Sequence, residues 1–197
     1  RRGNIVIKRG QTLFIAEITS NSNIKLDFTK IYNEADMFVK KIVIPNKKGI
    51  KNILVWRTSD ISKIEDITEK EGNWILLIKS VNNVLKGDNF IFVFPELLEN
   101  KLIVKKGEVI TSEILGENDF DYKNINLRIK TLLTKTRDKI KSKGSIAKEI
   151  TTRGDFIKKF RDALKMNQNV KYRLEVVSLK DSKIAEPIIV DLNIKKL

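Results

Sequence analysis

Ser145 and Lys148, in the stretch SIAK, stand one helical turn apart, the spacing at which a lysine amine takes the proton of a serine hydroxyl. Such a pair also needs a buried lysine and an oxyanion hole, and a serine heading a helical stretch is more simply an N-cap. Residues 117–121, ENDFD, space their carboxylates as a metal loop does. Lys123 and Lys130 fall where later calcium ligands are required, and no glycine holds the sixth position, so Asp121 reads instead as a helix cap. Glu65, Asp66, Glu69 and Glu71 form the densest acidic cluster, in a segment that reads as exposed.

The 197 residues include no cysteine and no histidine. Disulfides, thiolate nucleophiles, zinc centres and histidine acid–base schemes are thereby excluded. The nine glycines are too scattered for a phosphate loop or a dinucleotide turn. The expectation is a protein that is not an enzyme and carries no cofactor or metal.

Charge is the stronger signal. The formal net charge is +14, and the window from Lys123 to Arg173 alone holds 16 Lys+Arg against 4 Asp+Glu. A strongly basic surface attracts polyanions at long range. The 30 lysines against 9 arginines, with 29 isoleucines and 17 asparagines, also carry the composition of an AT-rich genome. Codon bias therefore accounts for part of the excess, but not for its concentration. Lysine grips a phosphate backbone as a point charge and lacks the planar fork that reads bases, so recognition by charge is expected rather than by sequence.

These side chains need elements to position them. Residues 1–115 read as a β-rich domain, a barrel or sandwich, with strand-like runs at 4–8, 11–19, 38–45, 52–58, 73–81, 89–95 and 101–106. DISKIEDITEKEG is equally a helical turn or a loop. Residues 116–197 read as a basic α+β domain in the order helix, short helix, helix, β-hairpin. Ile125, Ile129, Leu132, Leu133, Thr136 and Ile140 share one face of a helix that Gly144 stops, with Lys130, Lys135, Arg137, Lys139 and Lys141 off that face. A short helix is expected from Ser145. A third, capped by Asp155, carries Ile157, Phe160 and Leu164 on one side and Lys158, Lys159 and Arg161 on or near the other.

That order, with basic side chains on the later helices, resembles a winged helix-turn-helix, which implies a helix in a major groove and a flanking hairpin. KGDNFIFVF, residues 86–94, resembles the first ribonucleoprotein signature at Lys86, Gly87, Phe90 and Ile91 but departs from it at Asp88, Asn89 and Val93. A strand buried on both faces is the simpler account. IVIKRGQTL at 5–13 returns as LIVKKGEVI at 102–110. The second copy is similar to turns of SAF-like and barrel-sandwich domains, and the pair is consistent with an old duplication. Seven of the nine glycines follow Lys or Arg directly, so these turns read as hairpin corners with their charges in solvent.

The sequence thus predicts a polyanion-binding module, with nucleic acid as partner and Lys130, Lys135, Arg137, Lys139, Lys141, Lys158, Lys159 and Arg161 as contacts. The alternative is a structural or protein-interaction domain directed at an acidic protein or anionic lipid. The apolar runs are too short to span a bilayer, and the cytoplasm is the expected compartment. A bacterial envelope protein stays open, since the chain begins at Arg1.

Overall fold

A computed structural model describes residues 3–21, 27–45, 49, 52–116, 125–166 and 169–197. The chain is α+β and divides into two compact units, Arg1–Asn100 and Lys101–Leu197. The division falls at Asn100 rather than near residue 115.

The first unit runs β1 (Ile5–Ile7), β2 (Thr12–Ser20), α1 (Phe28–Val43), β3 (Leu54–Val55), α2 (Thr58–Thr68), β4 (Gly72–Ser80), β5 (Val84–Leu85) and β6 (Ile91–Glu99). Its main sheet has the order β2-β4-β6-β3, antiparallel except that β3 runs parallel to β6, and β1 pairs with β5. The core lies between the helices and one sheet face. Ile18, Leu76, Ile78, Ile91 and Val93 there meet Ala35, Val39 and Val43 of α1 and Ile64 of α2. Burying each such aliphatic side chain contributes about 1.5–3 kcal/mol.

The second unit runs β7 (Leu102–Val104), β8 (Val109–Leu115), α3 (Ile125–Ser142), β9 (Ile150–Thr152), α4 (Phe156–Ala163), β10 (Tyr172–Ser178), β11 (Ser182–Lys183) and β12 (Ile188–Lys196). Its sheet has the order β8-β10-β12-β9, again with only the last pair parallel, and β7 pairs with β11. Element for element, the two topologies are the same. α1 and α3 begin 97 positions apart, as do β6 and β12.

The repeated turn opens both units and is held by the same bonds. Gly10 donates to the Ser80 carbonyl at 2.8 Å and Gly107 to that of Ser178 at 2.7 Å. Both glycines have positive φ, 75° and 80°, where a side chain is disfavoured. The Lys8 and Lys105 N–H groups donate to Gln11 and Glu108, and those of Arg9 and Lys106 to Asn83 and Asp181. Ser80 Oγ donates to the Asn82 carbonyl as Ser178 Oγ does to that of Lys180. The chain is a tandem repeat of one fold.

Several expectations are corrected. No sheet among the described residues closes into a barrel: each four-stranded sheet is open, with β2 and β3 or β8 and β9 as its edges. Residues 38–43, read as strand, belong to α1; Met37, Phe38 and Ile42 are exposed beside the buried Val39 and Val43, which blurs the helical period. DISKIEDITEKEG is helical through most of its length, in α2. No short helix starts at Ser145, and Ile150–Thr152 is strand β9, paired with β12. The helix–helix–hairpin order of a winged helix is therefore interrupted by a strand of the sheet. The expected hairpin strands, β10 and β12, do pair, but as the two central strands of four.

Candidate polyanion interface

α3 buries Ile129, Leu132, Thr136 and Ile140. Thr136 sits within hydrogen-bond distance of Thr111 on β8, at 2.6 Å. With that face inward, a period of 3.6 residues puts the exposed basic side chains on two flanks. Lys130, Arg137 and Lys141 form one row. Lys135 and Lys139 form the other, on the side of Arg128, which pairs with Glu113 of β8 at 3.0 Å.

Lys130, Lys135, Arg137, Lys139 and Lys141 are all exposed. Arg137 also donates to the Lys148 carbonyl at 2.7 Å, tying the helix to the segment before β9. Between α3 and β9 runs a groove of about 480 Å³. Ile129, Leu133 and Ile150 form its floor; Lys130, Arg137 and Glu149 stand at its rim.

α4 buries Phe156, Phe160 and Ala163, leaving Ile157 outside rather than on the core face. Lys158 and Arg161 are exposed opposite the core. Lys159 is turned inward and donates to Asp191 of β12 at 2.6 Å, with Asp155 at 3.5 Å. Its ammonium is raised above the ordinary lysine value, first by the Asp191 bond and then by the charges of both aspartates. Burial works against the charged form of Asp191, yet bonds from Lys159 and the Leu192 N–H hold its carboxyl below the ordinary range. Lys159 thus serves to lock α4 onto β12 and is set apart from the other seven basic residues.

The remaining chemical candidates separate in space. Ser145 Oγ accepts from the Ala147 N–H at 3.2 Å and donates to the Ile184 carbonyl at 3.4 Å, bonds that make no use of Lys148. Residues 117–121 and Lys123 lie outside the described residues. Glu65, Asp66, Glu69 and Glu71 are exposed along and after α2, and no group of three potential metal ligands gathers among the described residues. In both basic-glycine turns the side chains are exposed, and the N–H groups that would cradle a phosphate are occupied by Gln11 and Asn83, or Glu108 and Asp181. Glu108 also pairs with Lys143, and that bond, with the Lys105 N–H, lowers its pKa.

The strand expected to be buried on both faces is exposed on one. Phe90, just before β6, and Phe92 and Phe94 on it alternate outward at 67%, 54% and 36% exposure, while Ile91 and Val93 are buried. The strand is covered on one face, not two. The signal was present in the strict alternation; what sequence could not supply was the side on which the helices lie.

No protein-family model, curated protein or solved structure matches the chain. The two units can be compared with each other. On α1 the flank equivalent to Arg128, Lys135 and Lys139 is Ile31, Phe38 and Ile42, with the Phe38 ring tilted against Phe14 of β2 at 6.1 Å. The second unit holds 23 Lys+Arg against 13 Asp+Glu, and the first 16 against 12. Among the described residues, no helix is long and apolar enough to cross a membrane.

Proposed function

We propose that the chain is a non-enzymatic binding module whose second unit engages a polyanion, nucleic acid, through Lys130, Lys135, Arg137, Lys139, Lys141, Lys158 and Arg161. The observation that carries this reading is the paired flank: three positions on the same helix of one fold are apolar in the first unit and basic in the second. Codon bias acts on both halves of the chain alike, and the fold tolerates either chemistry there. This contrast supports a role for the basic flank beyond composition and folding. Phosphate neutralisation by lysines supplies affinity with steep salt dependence and little sequence preference. Binding of a random-sequence duplex and a single strand, measured across salt, tests it: no affinity for either at about 50 mM salt rejects the reading.

A protein-interaction role is the second reading, favoured by the outward row of Phe90, Phe92 and Phe94, since contiguous exposed apolar side chains mark interaction sites. The equivalent positions of the second unit are Pro187, Ile189 and Asp191, so the fold does not require aromatics. Phe92→Ala separates this reading from base stacking on the same row. Stacking predicts weaker single-strand binding with duplex binding intact.

A further inference from the structure

The α3–β9 groove has a counterpart in the first unit that is full. In register, Tyr32 of α1 corresponds to Ile129 of α3, Asp36 to Leu133 and Lys40 to Arg137; Trp56, just past β3, corresponds to Thr152 at the end of β9. In the first unit Asp36 reaches from the helix to the strand and accepts the N–H groups of Ile53 at 2.7 Å and Leu54 at 3.0 Å. Lys40 pairs with that carboxylate one turn along the helix. Tyr32 donates to the Leu54 carbonyl at 2.7 Å, and Trp56 packs on Tyr32 and Phe28 with centroids 6.1 and 5.6 Å away.

In the second unit the carboxylate is gone and each ring is replaced by a smaller side chain, while the cation of Lys40 is kept as Arg137. The ladder of β9 to β12 uses alternate N–H groups, that of Arg153 donating to Val190 at 3.0 Å. By that alternation the Ile150 N–H points away from β12, as that of Leu54 does toward Asp36. Leu133 offers it no acceptor. What results is a groove of about 480 Å³ with an aliphatic floor and a cation at its rim, to whose side the ladder's alternation directs a strand N–H. That size lies within the range of about 300–1,000 Å³ typical of small-molecule sites.

We propose that this groove binds a small aromatic carboxylate, which supplies from outside the ring and the carboxylate that the first unit carries in its own side chains. The ring lies on Ile129, Leu133 and Ile150, in the place of Trp56 and Tyr32. The carboxylate meets Arg137, whose guanidinium keeps donors beyond the one given to Lys148, and the Ile150 N–H. Glu149 at the rim opposes an anion, so Glu149→Gln tightens binding.

The test is calorimetric titration of the full chain with indole-3-acetate, beside indole and acetate, which each carry half of the recognised chemistry. Saturable binding of indole-3-acetate is expected, with both halves weaker by about tenfold or more. Leu133→Asp installs the first unit's carboxylate and Thr152→Trp its ring; each should abolish binding while the circular dichroism spectrum is kept. Arg137→Ala, on the exposed helix surface, should weaken binding about tenfold, and it decides the matter if either filling variant fails to fold. Absence of saturable binding by about 10 mM, or binding indifferent to Arg137→Ala and to whichever filling variants fold, overturns the proposal. Thr152→Trp leaves every proposed phosphate contact in place, so its effect on nucleic-acid affinity reports separately.

Discussion

Asp36 accepts the backbone N–H of Ile53 at 2.7 Å from a position only 2% exposed, 17 residues earlier in the chain. This one side chain joins α1 to the edge strand of its sheet, with Leu54 and Lys40 as its other partners. Asp36→Ala strands a buried N–H pair and the Lys40 ammonium together. A loss of about 3 kcal/mol in unfolding free energy is expected, measured by urea denaturation at neutral pH. A loss below about 1 kcal/mol would show that water serves these groups equally well.

The Lys159–Asp191 pair sets a pH window. Asp191 has a folded pKa below its unfolded value, so its contribution is present above about pH 3.9 and is lost as pH falls through the lower folded value. Lys159 has a folded pKa raised above its unfolded value. Its contribution is full below about pH 10.4 and is lost as pH rises through the higher folded value. Asp191→Asn is expected to lower the melting temperature by a constant amount from about pH 5 to pH 9, with the gap to wild type closing at either extreme. A gap independent of pH across both extremes would remove the ion pair as its cause.

Gly10 and Gly107 hold the same left-handed corner in the two units, with open space where a Cβ would stand. Only backbone strain therefore opposes a side chain. Gly10→Ala and Gly107→Ala should each cost about 1–2 kcal/mol by chemical denaturation. Values that differ strongly between the two would mean that the shared hydrogen bonds do not make the turns equivalent.

Lys135 and Lys139 lie on the flank where the first unit carries Phe38 and Ile42. Replacing both by alanine is expected to reduce the salt slope of duplex binding by about two, near one per phosphate contact, with little change in preference among sequences. Unfolding should be unaffected, since both side chains are exposed. An unchanged slope would exclude this flank from the interface.

What could be read ahead of the structure follows the range of the forces involved. α3 was legible because Ile129, Leu132, Thr136 and Ile140 repeat at helical spacing and Gly144, at φ 101°, stops the helix. α1 was not, because Met37, Phe38, Val39, Ile42 and Val43 include both buried and exposed residues. A helix whose apolar side chains face both ways shows no clean stripe. The seven exposed cations were visible from composition and period. The engagement of Lys159 was not, since Asp191 lies 32 residues further along.

The sequence by itself determined the local features: the basic-glycine corners, the alternation of β6, the period of α3 and the concentration of charge after residue 123. Each depends on side chains within a turn or two of one another. The tertiary structure alone decided that the chain is one fold used twice, that the phenylalanines face outward and that a groove stands open in one unit where the other is filled. Those facts depend on which elements meet. Tyr32 against Ile129 and Asp36 against Leu133 are unlike residues at like positions, and only the register of helix on strand brings them into correspondence.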